Sequence, residues 1–407
     1  MNTLTLVYVV MFFIGIFLLL LFVVMHYRYR HNLYYSPKPT RFPTISILVP
    51  VYNEEKSVAD TLNALIKINY PARKKEIIVI DDGSTDRTAE IVRSFVTSHS
   101  GIRLLSKKNG GKARALNYGI RFAKGELLAV ADADSNPLSN SLMSMVGYFD
   151  EQRVAAVTSR VLVRNTPNWL CRYQVLDYSI IAWTRKLLDF VDSVYVTNGP
   201  LSVYRTSVVR KIGGFDPTNL TEDIELTWHI LSKGYQTRMA YNAIVYTIVP
   251  ETFAIWVKQR IRWNLGGIQT VVKYWRSMFK NNAFGYFVIP YVAASFILAL
   301  IGFGLFARYM WIKGSYYLVS FYYWFQGYNP FAYWEFSFHA TLLLFLASLF
   351  FLLAIGYYKL GFNHSKYSHA SIVQIFIYSA LYRALYIIPL VLALYKLAKG
   401  DLRWYTK

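Results

Sequence analysis

The chain has a single cysteine, Cys171, so it can build neither an internal disulfide nor a cysteine-based zinc site. Charge is scarce too. Asp, Glu, Lys and Arg make up 16% of the 407 residues, against ~25% in an average soluble domain. Two phosphate-binding loops are missing: no GxGxxG follows the first soluble apolar run, and no GxxxxGK[ST] occurs anywhere. Dinucleotide and P-loop chemistry therefore lack their usual cradle. Disorder is excluded by the 55% hydrophobic content, because disordered chains are poor in apolar residues. Acids number only 23 against 44 Lys and Arg, a net charge of +21. Such an excess suits anionic lipid or nucleic acid, and the placement of the charges decides between them.

Residues 1–27 carry no Asp, Glu, Lys or Arg, and Leu4–Val24 is almost wholly apolar. That is long enough for a span, which needs ~20 such residues. No positive segment precedes it and no small-residue cleavage site follows, so it does not read as a signal peptide. Arg28, Arg30, Lys38 and Arg41 come next, with no acid before Glu54. The positive-inside rule then puts the N-terminus outside and the following domain in the cytosol. Three more apolar stretches lie at Phe284–Phe306, Phe338–Tyr358 and Ile372–Tyr395. Beyond residue 283 the only acids are Glu335 and Asp401.

The expected plan is a transmembrane helix at 1–27, a catalytic domain at 41–250, an interface segment at 251–282 and a membrane region at 283–407. That last region holds three or four spans. Three spans leave the C-terminus outside, whereas Lys396, Lys399, Arg403 and Lys407 argue for inside. The aromatic stretch Tyr316–Phe336 is either a fourth, short segment or an interfacial belt. Trp169–Phe190 and Phe253–Phe279 read as amphipathic helices in the cytosolic interface, with Arg172, Arg185, Lys186 and Arg260 toward lipid. No nucleic-acid motif accompanies the basic excess, so the bilayer is the expected partner.

In the middle of the chain, apolar β-branched runs alternate with helical patterns. Ile45–Tyr52, Glu76–Asp82, Ile102–Ser106 and Glu126–Asp134 read as strands. Ser57–Asn69, with Ser57 as cap, Thr85–His99 and Lys112–Ala123 read as helices. This is an α/β fold with a mostly parallel sheet. Ligands of such sheets bind beyond the carboxyl ends of the strands. Two strands end there in acids, Asp81-Asp82 and Asp132-Ala133-Asp134. Asp132 and Asp134 either cap a turn or hold a divalent cation that neutralises a nucleotide diphosphate.

Seven pieces of sequence occur in order: PVYNEE (50–55), DDGSTD (81–86), GGKARALN (110–117), DAD (132–134), NGPLSVYR (198–205), TED (221–223) and QRIRW (259–263). Together they resemble the membrane-embedded, processive enzymes of glycosyltransferase family 2, which include cellulose, chitin, hyaluronan and poly-N-acetylglucosamine synthases. VPETFAIWVKQRIRWNLGG (249–267) is most similar to the poly-N-acetylglucosamine synthases. NGPLSVYR leans toward chitin and hyaluronan synthases, so the sugar stays open.

The resemblance implies a GT-A-like domain between transmembrane helices, and a role for each motif. Tyr52, Glu54, Asp81 and Lys112 would hold the uridine nucleotide. Asp132 and Asp134 would bind Mg2+ or Mn2+ and the UDP diphosphate. Asp223 would be the base for the acceptor hydroxyl, with Glu222 orienting it. Gln259 and Arg262 would sit on the pyrophosphate, and Trp263 beside the acceptor sugar. Implied partners are a UDP-sugar, a growing polysaccharide and the bilayer.

A bundle of four or five spans is narrow, so export calls for a second copy or a small membrane partner. TED also suits a helix start with Thr221 as N-cap. Arg383, inside the last apolar stretch, either lines a polymer channel or marks an interfacial part. Two other functions keep the same motifs: single transfer to a lipid carrier, and a sensor that binds UDP-sugar without turnover.

Overall fold

A computed structural model of the chain describes residues 3–280, 282–328, 338–363 and 370–400. His364 and His369, read from sequence as a solvent or headgroup connection, lie outside them, as do Glu335, Arg403 and Lys407. An apolar helix α1 (Thr3–Tyr29) leads to β1 (Ile45–Val51), α2 (Val58–Ile66), β2 (Lys75–Asp81), α3 (Thr88–Ser98), β3 (Ile102–Ser106), α4 (Lys112–Phe122) and β4 (Leu127–Val130). Next come β5 (Asn136–Pro137), α5 (Met143–Val146), β6 (Val154–Val163), α6 (Trp169–Asp189), β7 (Ser202–Arg205), α7 (Thr206–Lys211), α8 (Glu222–Ser232), β8 (Gln236–Thr247) and α9 (Phe253–Tyr274). The described chain ends with α10 (Ile289–Phe325), α11 (Phe338–Phe362), α12 (Ile372–Ile377) and α13 (Ile387–Ala398).

One eight-stranded sheet runs in the order β3-β2-β1-β4-β7-β6-β8-β5. β3, β2, β1 and β4 are parallel, because each is reached by a crossover helix. Alternate residues of β1 feed two layers. Ile45, Ile47, Val49 and Val51 pack with Val58, Leu62 and Leu65 of α2, and Leu48 packs with Ile78, Ile80, Ala115 and Leu116. Burial of each such side chain contributes ~1.5–3 kcal/mol, which is why these strands are apolar on both faces.

β4 is shorter than the sequence suggests. It stops at Val130, and the chain turns as Ser135 N–H donates to the Asp132 carbonyl over 3.1 Å. Asp132 and Asp134 therefore stand in a loop just past the strand. β7 runs antiparallel to β4 with Val130 opposite Ser202, so the NGP turn before β7 arrives at the same edge.

Among the described residues, four helices are long and apolar enough to cross a membrane: Leu6–Asn32, Phe284–Ile312, Phe345–Phe362 and Ile372–Ala398. α10 has 37 residues, ~55 Å at 1.5 Å per residue, which exceeds the ~30 Å hydrocarbon thickness. Residues 316–325 continue this helix, and residues 329–336 of the aromatic stretch lie outside the described residues. The fourth helix is interrupted by a π-helical stretch, Tyr378–Tyr382, and a 3-10 turn, Arg383–Tyr386.

α6 forms the helix expected over Trp169–Phe190. It is wedged between the sheet and the apolar helices. Trp183 is fully buried, and its Nε1–H donates to His26 Nδ1 of α1 over 3.1 Å. Gly361 of α11 sits so close that a Cβ there would lie 2.3 Å from Ile180 Cδ1. Of the basic residues expected to face lipid, Arg172 is exposed, but Lys186 is buried against Asp189 at 2.7 Å. Arg185 turns inward and hydrogen-bonds to Asn198.

Candidate active site

The carboxyl edge of the parallel strands carries two hydrogen-bonded units. The first joins the loops after β1 and β2. Asn53, at φ +53°, accepts from Thr85 N–H at 2.8 Å, and Glu54 N–H donates to Thr88 Oγ1 at 2.8 Å. Asp81 accepts from Ser84 N–H at 2.9 Å, and Tyr52 is 39% exposed at the rim. Ser57 occupies the N-cap position of α2. Its hydroxyl, however, donates to Glu54 Oε2 at 2.7 Å instead of accepting from the helix, so the expected capping bond is not made.

Asp82 positions the second unit. It accepts from Gly110 and Gly111 N–H, the latter at 2.7 Å, and from Lys107. Gly111 sits at φ +89°, which a side chain would resist. This turn starts α4 at Lys112 and aims its ammonium across the edge. Lys112 Nζ lies 2.6 Å from Asp132 Oδ1 and 2.8 Å from Glu222 Oε1. DAD and TED are thereby joined through one lysine. Burial opposes its charge, but Asp132, Glu222 and Asp223 outweigh burial and push its pKa up. Glu222, expected only to orient its neighbour, is the second partner of this bridge.

Asp223 is half-buried, and desolvation together with the adjacent Glu222 raises its carboxyl to about 6, against the pull of Lys112 and Arg262. Glu222 goes the other way: burial disfavours its charge, yet Lys112 and Arg262 hold it below the usual range. The neighbours' pKa values are pushed apart, the arrangement expected of a site with distinct acid–base roles. Thr221 stands at the N-cap of α8, but its hydroxyl makes no capping bond; it donates to Asn219 Oδ1 at 3.2 Å.

Gln259, Arg262, Trp263 and Gly266 share one face of α9 by their i, i+3, i+4, i+7 spacing. That face meets TED, since a Cβ on Gly266 would lie 2.2 Å from Thr221 Oγ1. Further along, Asn219 donates to Thr270 at 3.0 Å, Gln269 accepts from Leu220 N–H, and Lys273 and Tyr274 reach Glu225 at 2.6 and 2.8 Å. The glycine thus sets how near Arg262 comes to Glu222 and Asp223. Gly266→Ala is expected to cost about 1–3 kcal/mol by overpacking, read as a lower thermal midpoint, and to depress turnover by moving α9 off TED.

Arg260 corrects its sequence reading. It is 1% exposed, stacks 3.9 Å over the Trp263 ring and donates to Gln259 Oε1 at 2.9 Å. Gln259 is thus engaged by its own helix. Arg185, Asn198 and Tyr178 were not singled out as site residues. Burial lowers the pKa of Arg185, which feels Asp223, and burial raises that of Tyr178, which lies within charge reach of Arg260 and Asp134. Gly199 is the clearest missed signal, since a Cβ there would stand 2.5 Å from Asp132 Oδ2 and 2.9 Å from Lys112 Nζ. The NGP turn thus brings its backbone against Asp132 and Lys112 so closely that no side chain fits between them.

The donors gathered at this edge suit a divalent cation. Asp132 and Asp134 offer hard carboxylate oxygens. Among the described residues no three acid, His or Cys side chains form a complete cage, so phosphate oxygens and water would finish the shell, as is usual for Mg2+.

The sequence profile described as glycosyltransferase-like family 2 matches residues 43–266. The chain belongs to this family. The family 2 match begins at the first strand and ends at Gly266, so it takes in each acid just described together with the QRIRW helix. This family 2 glycosyltransferase is 31% identical over 249 residues to poly-beta-1,6-N-acetyl-D-glucosamine synthase of Staphylococcus epidermidis. The aligned part is 61% of this chain and 60% of that one. A probable glycosyltransferase of Bacillus subtilis is 32% identical over 263 residues, 62% of this chain and 60% of that protein. The chain thus spans about 60% of the length of these relatives. A mannosyltransferase from Pyrobaculum calidifontis, solved with GDP-Man and Mn2+, shares the fold at a TM-score of 0.54 and 21% identity, over 88% of this chain and 97% of that one.

Proposed function

We propose that this glycosyltransferase is an inverting, processive enzyme of the cytosolic membrane face. It would extend a β-linked polysaccharide, with N-acetylglucosamine from a UDP-sugar as the favoured unit, and deliver it across the bilayer. The observation that carries the reading is the bridge from Asp132 through Lys112 to Glu222, with Asp223 raised to about 6 next to it and within the field of Arg262.

A sugar hydroxyl is a weak nucleophile. Asp223 accepts its proton as the new bond forms. One base and no covalent nucleophile give a single displacement, which turns an α-linked donor into a β-linkage. The departing diphosphate gains negative charge, and Lys112 and Arg262 meet it with fixed positive charge in a buried setting. Mg2+ or Mn2+ held by Asp132, Asp134 and the diphosphate would add a Lewis-acid counter-charge. Tyr52, Glu54 and Asp81 border the nucleotide from the first two loops. Trp263 offers the acceptor sugar a flat apolar face, held by the Arg260 guanidinium behind it.

Export is supported by rings that lead from the site toward the apolar helices. Tyr195, within charge reach of Arg185, lies 6.2 Å from Tyr291 of α10, and Phe22 of α1 joins Tyr291 to Tyr357 at 6.3 and 6.2 Å. The cytosolic placement rests on Arg28, Arg30, Lys38 and Arg41 after the first span. The S. epidermidis relative supports the sugar, and the Pyrobaculum fold relative, solved with a nucleotide sugar and Mn2+, supports the cation class.

The test is incubation of the purified full chain in lipid with labelled UDP-sugars and Mg2+ or Mn2+. A long polymer from UDP-N-acetylglucosamine is expected. A short product extractable into organic solvent would move the reaction to a lipid carrier, and UDP binding without turnover would leave only a sensor.

A further inference from the structure

Asp177 is an acid in the middle of the apolar helix α6, and it is 0% exposed. Four groups converge on its carboxylate. Tyr378 Oη–H donates at 3.0 Å, Arg383 Nη1–H at 3.2 Å, and Tyr386 Oη–H makes a further short bond. Arg260 Nη2 lies 3.6 Å away, and its Nε–H donates to Tyr386 Oη at 3.1 Å. Three of these four partners belong to the last membrane segment, and they sit in its irregular part, Tyr378–Tyr386. The break from regular α-helix turns Tyr378, Arg383 and Tyr386 toward one acid, and such irregular turns are often found at functional sites. The fourth partner, Arg260, lies with its plane 3.9 Å over the Trp263 ring.

We propose that Asp177 is a positioning residue through which the last membrane segment sets the orientation of Trp263, and with it the seat of the acceptor sugar. The path is short: Tyr378, Arg383 and Tyr386 fix the carboxylate, the carboxylate and Tyr386 fix Arg260, and Arg260 backs the indole; Asp177, Tyr378 and Arg260 are buried, while the Arg383 side chain is 43% exposed. Removing one member leaves buried charge without compensation, so the rest must rearrange. The donor-side lysine and acids stand apart from this path, since Lys112, Asp132 and Glu222 are held from α4, the loop after β4 and α8; Gln259, which accepts from Arg260, is the point where it touches the donor side. The inference rests on the acceptor role proposed above for Trp263. Arg383, which the sequence offered either to a polymer channel or to an interfacial part, is paired with Asp177.

Asp177→Asn keeps the shape and removes the charge. In the full chain in lipid it should lower polymer synthesis about 10–100-fold, the range expected when a substrate is misplaced by about an ångström. KM for an added acceptor oligosaccharide should rise, while UDP affinity measured by calorimetry stays at the wild-type value. Arg260→Lys keeps the charge but loses the guanidinium over Trp263 and its bonds to Tyr386 and Gln259, and should show the same rise in KM for the acceptor. It decides the matter if Asp177→Asn fails to accumulate. Wild-type rate and product length in the variant would overturn the inference. So would joint loss of UDP affinity and synthesis, the mark of a merely structural role. If the wild-type chain itself releases no UDP from any donor, the functional reading falls first and this one with it.

Discussion

Asp223→Asn is expected to lower turnover by about 10²–10⁴-fold, the usual worth of a general base, while UDP binding persists. Asn keeps the shape and the backbone contact to Ile224 N–H but cannot take a proton. The pH profile provides a second check. The base works when deprotonated, and its carboxyl is raised to about 6. Turnover in the wild-type chain should therefore be flat above that value and fall as pH drops through it. Stability runs the opposite way. A folded-state pKa above the unfolded one means the native state binds the extra proton, so this group favours folding at low pH and loses that contribution as pH rises through about 6. Asp223→Asn should consequently unfold no more easily than the parent at neutral pH. A variant that is inactive because it is unfolded would show the reverse and remove Asp223 from the base role.

Asp132→Asn should reduce kcat/KM for the donor about 10²–10³-fold, as the loss of one preorganised electrostatic group does elsewhere. The carboxylate faces Lys112 at 2.6 Å and lies against the Gly199 backbone, so its removal strips negative charge from the proposed diphosphate seat. The diagnostic reading is a cation titration. The half-saturating Mg2+ or Mn2+ concentration should rise in Asp132→Asn and stay unchanged in Asp223→Asn, and chelation should abolish wild-type synthesis. Equal cation response in Asp132→Asn and the parent would show that this aspartate holds no metal.

The fold was readable where local pattern decides it. β1, β2 and β3 and their crossover helices announce themselves because strands buried on both faces must be continuous apolar runs. β4 ended early because the pattern ELLAVADAD does not say where pairing stops, and the Ser135 turn does. The long pair β6 and β8 and the antiparallel β7 depend on contacts between distant parts of the chain. In the site, Lys112, Asp132, Asp223 and Arg262 were legible as short motifs. Gly199 and Gly266 matter through atoms they lack, opposite residues far off in sequence. Arg260 was misread because a helical wheel shows only its own helix, whereas its partner Asp177 stands on another.

The seating of α6 between the sheet, α1 and α11 has a practical outcome. Trp183 against His26, and Ile180 against Gly361, leave no pliable joint between the catalytic body and its anchors. Excising the middle of the chain for expression in water would bare the indole and the Leu187 and Leu188 side chains, and such a fragment should clump instead of dissolving.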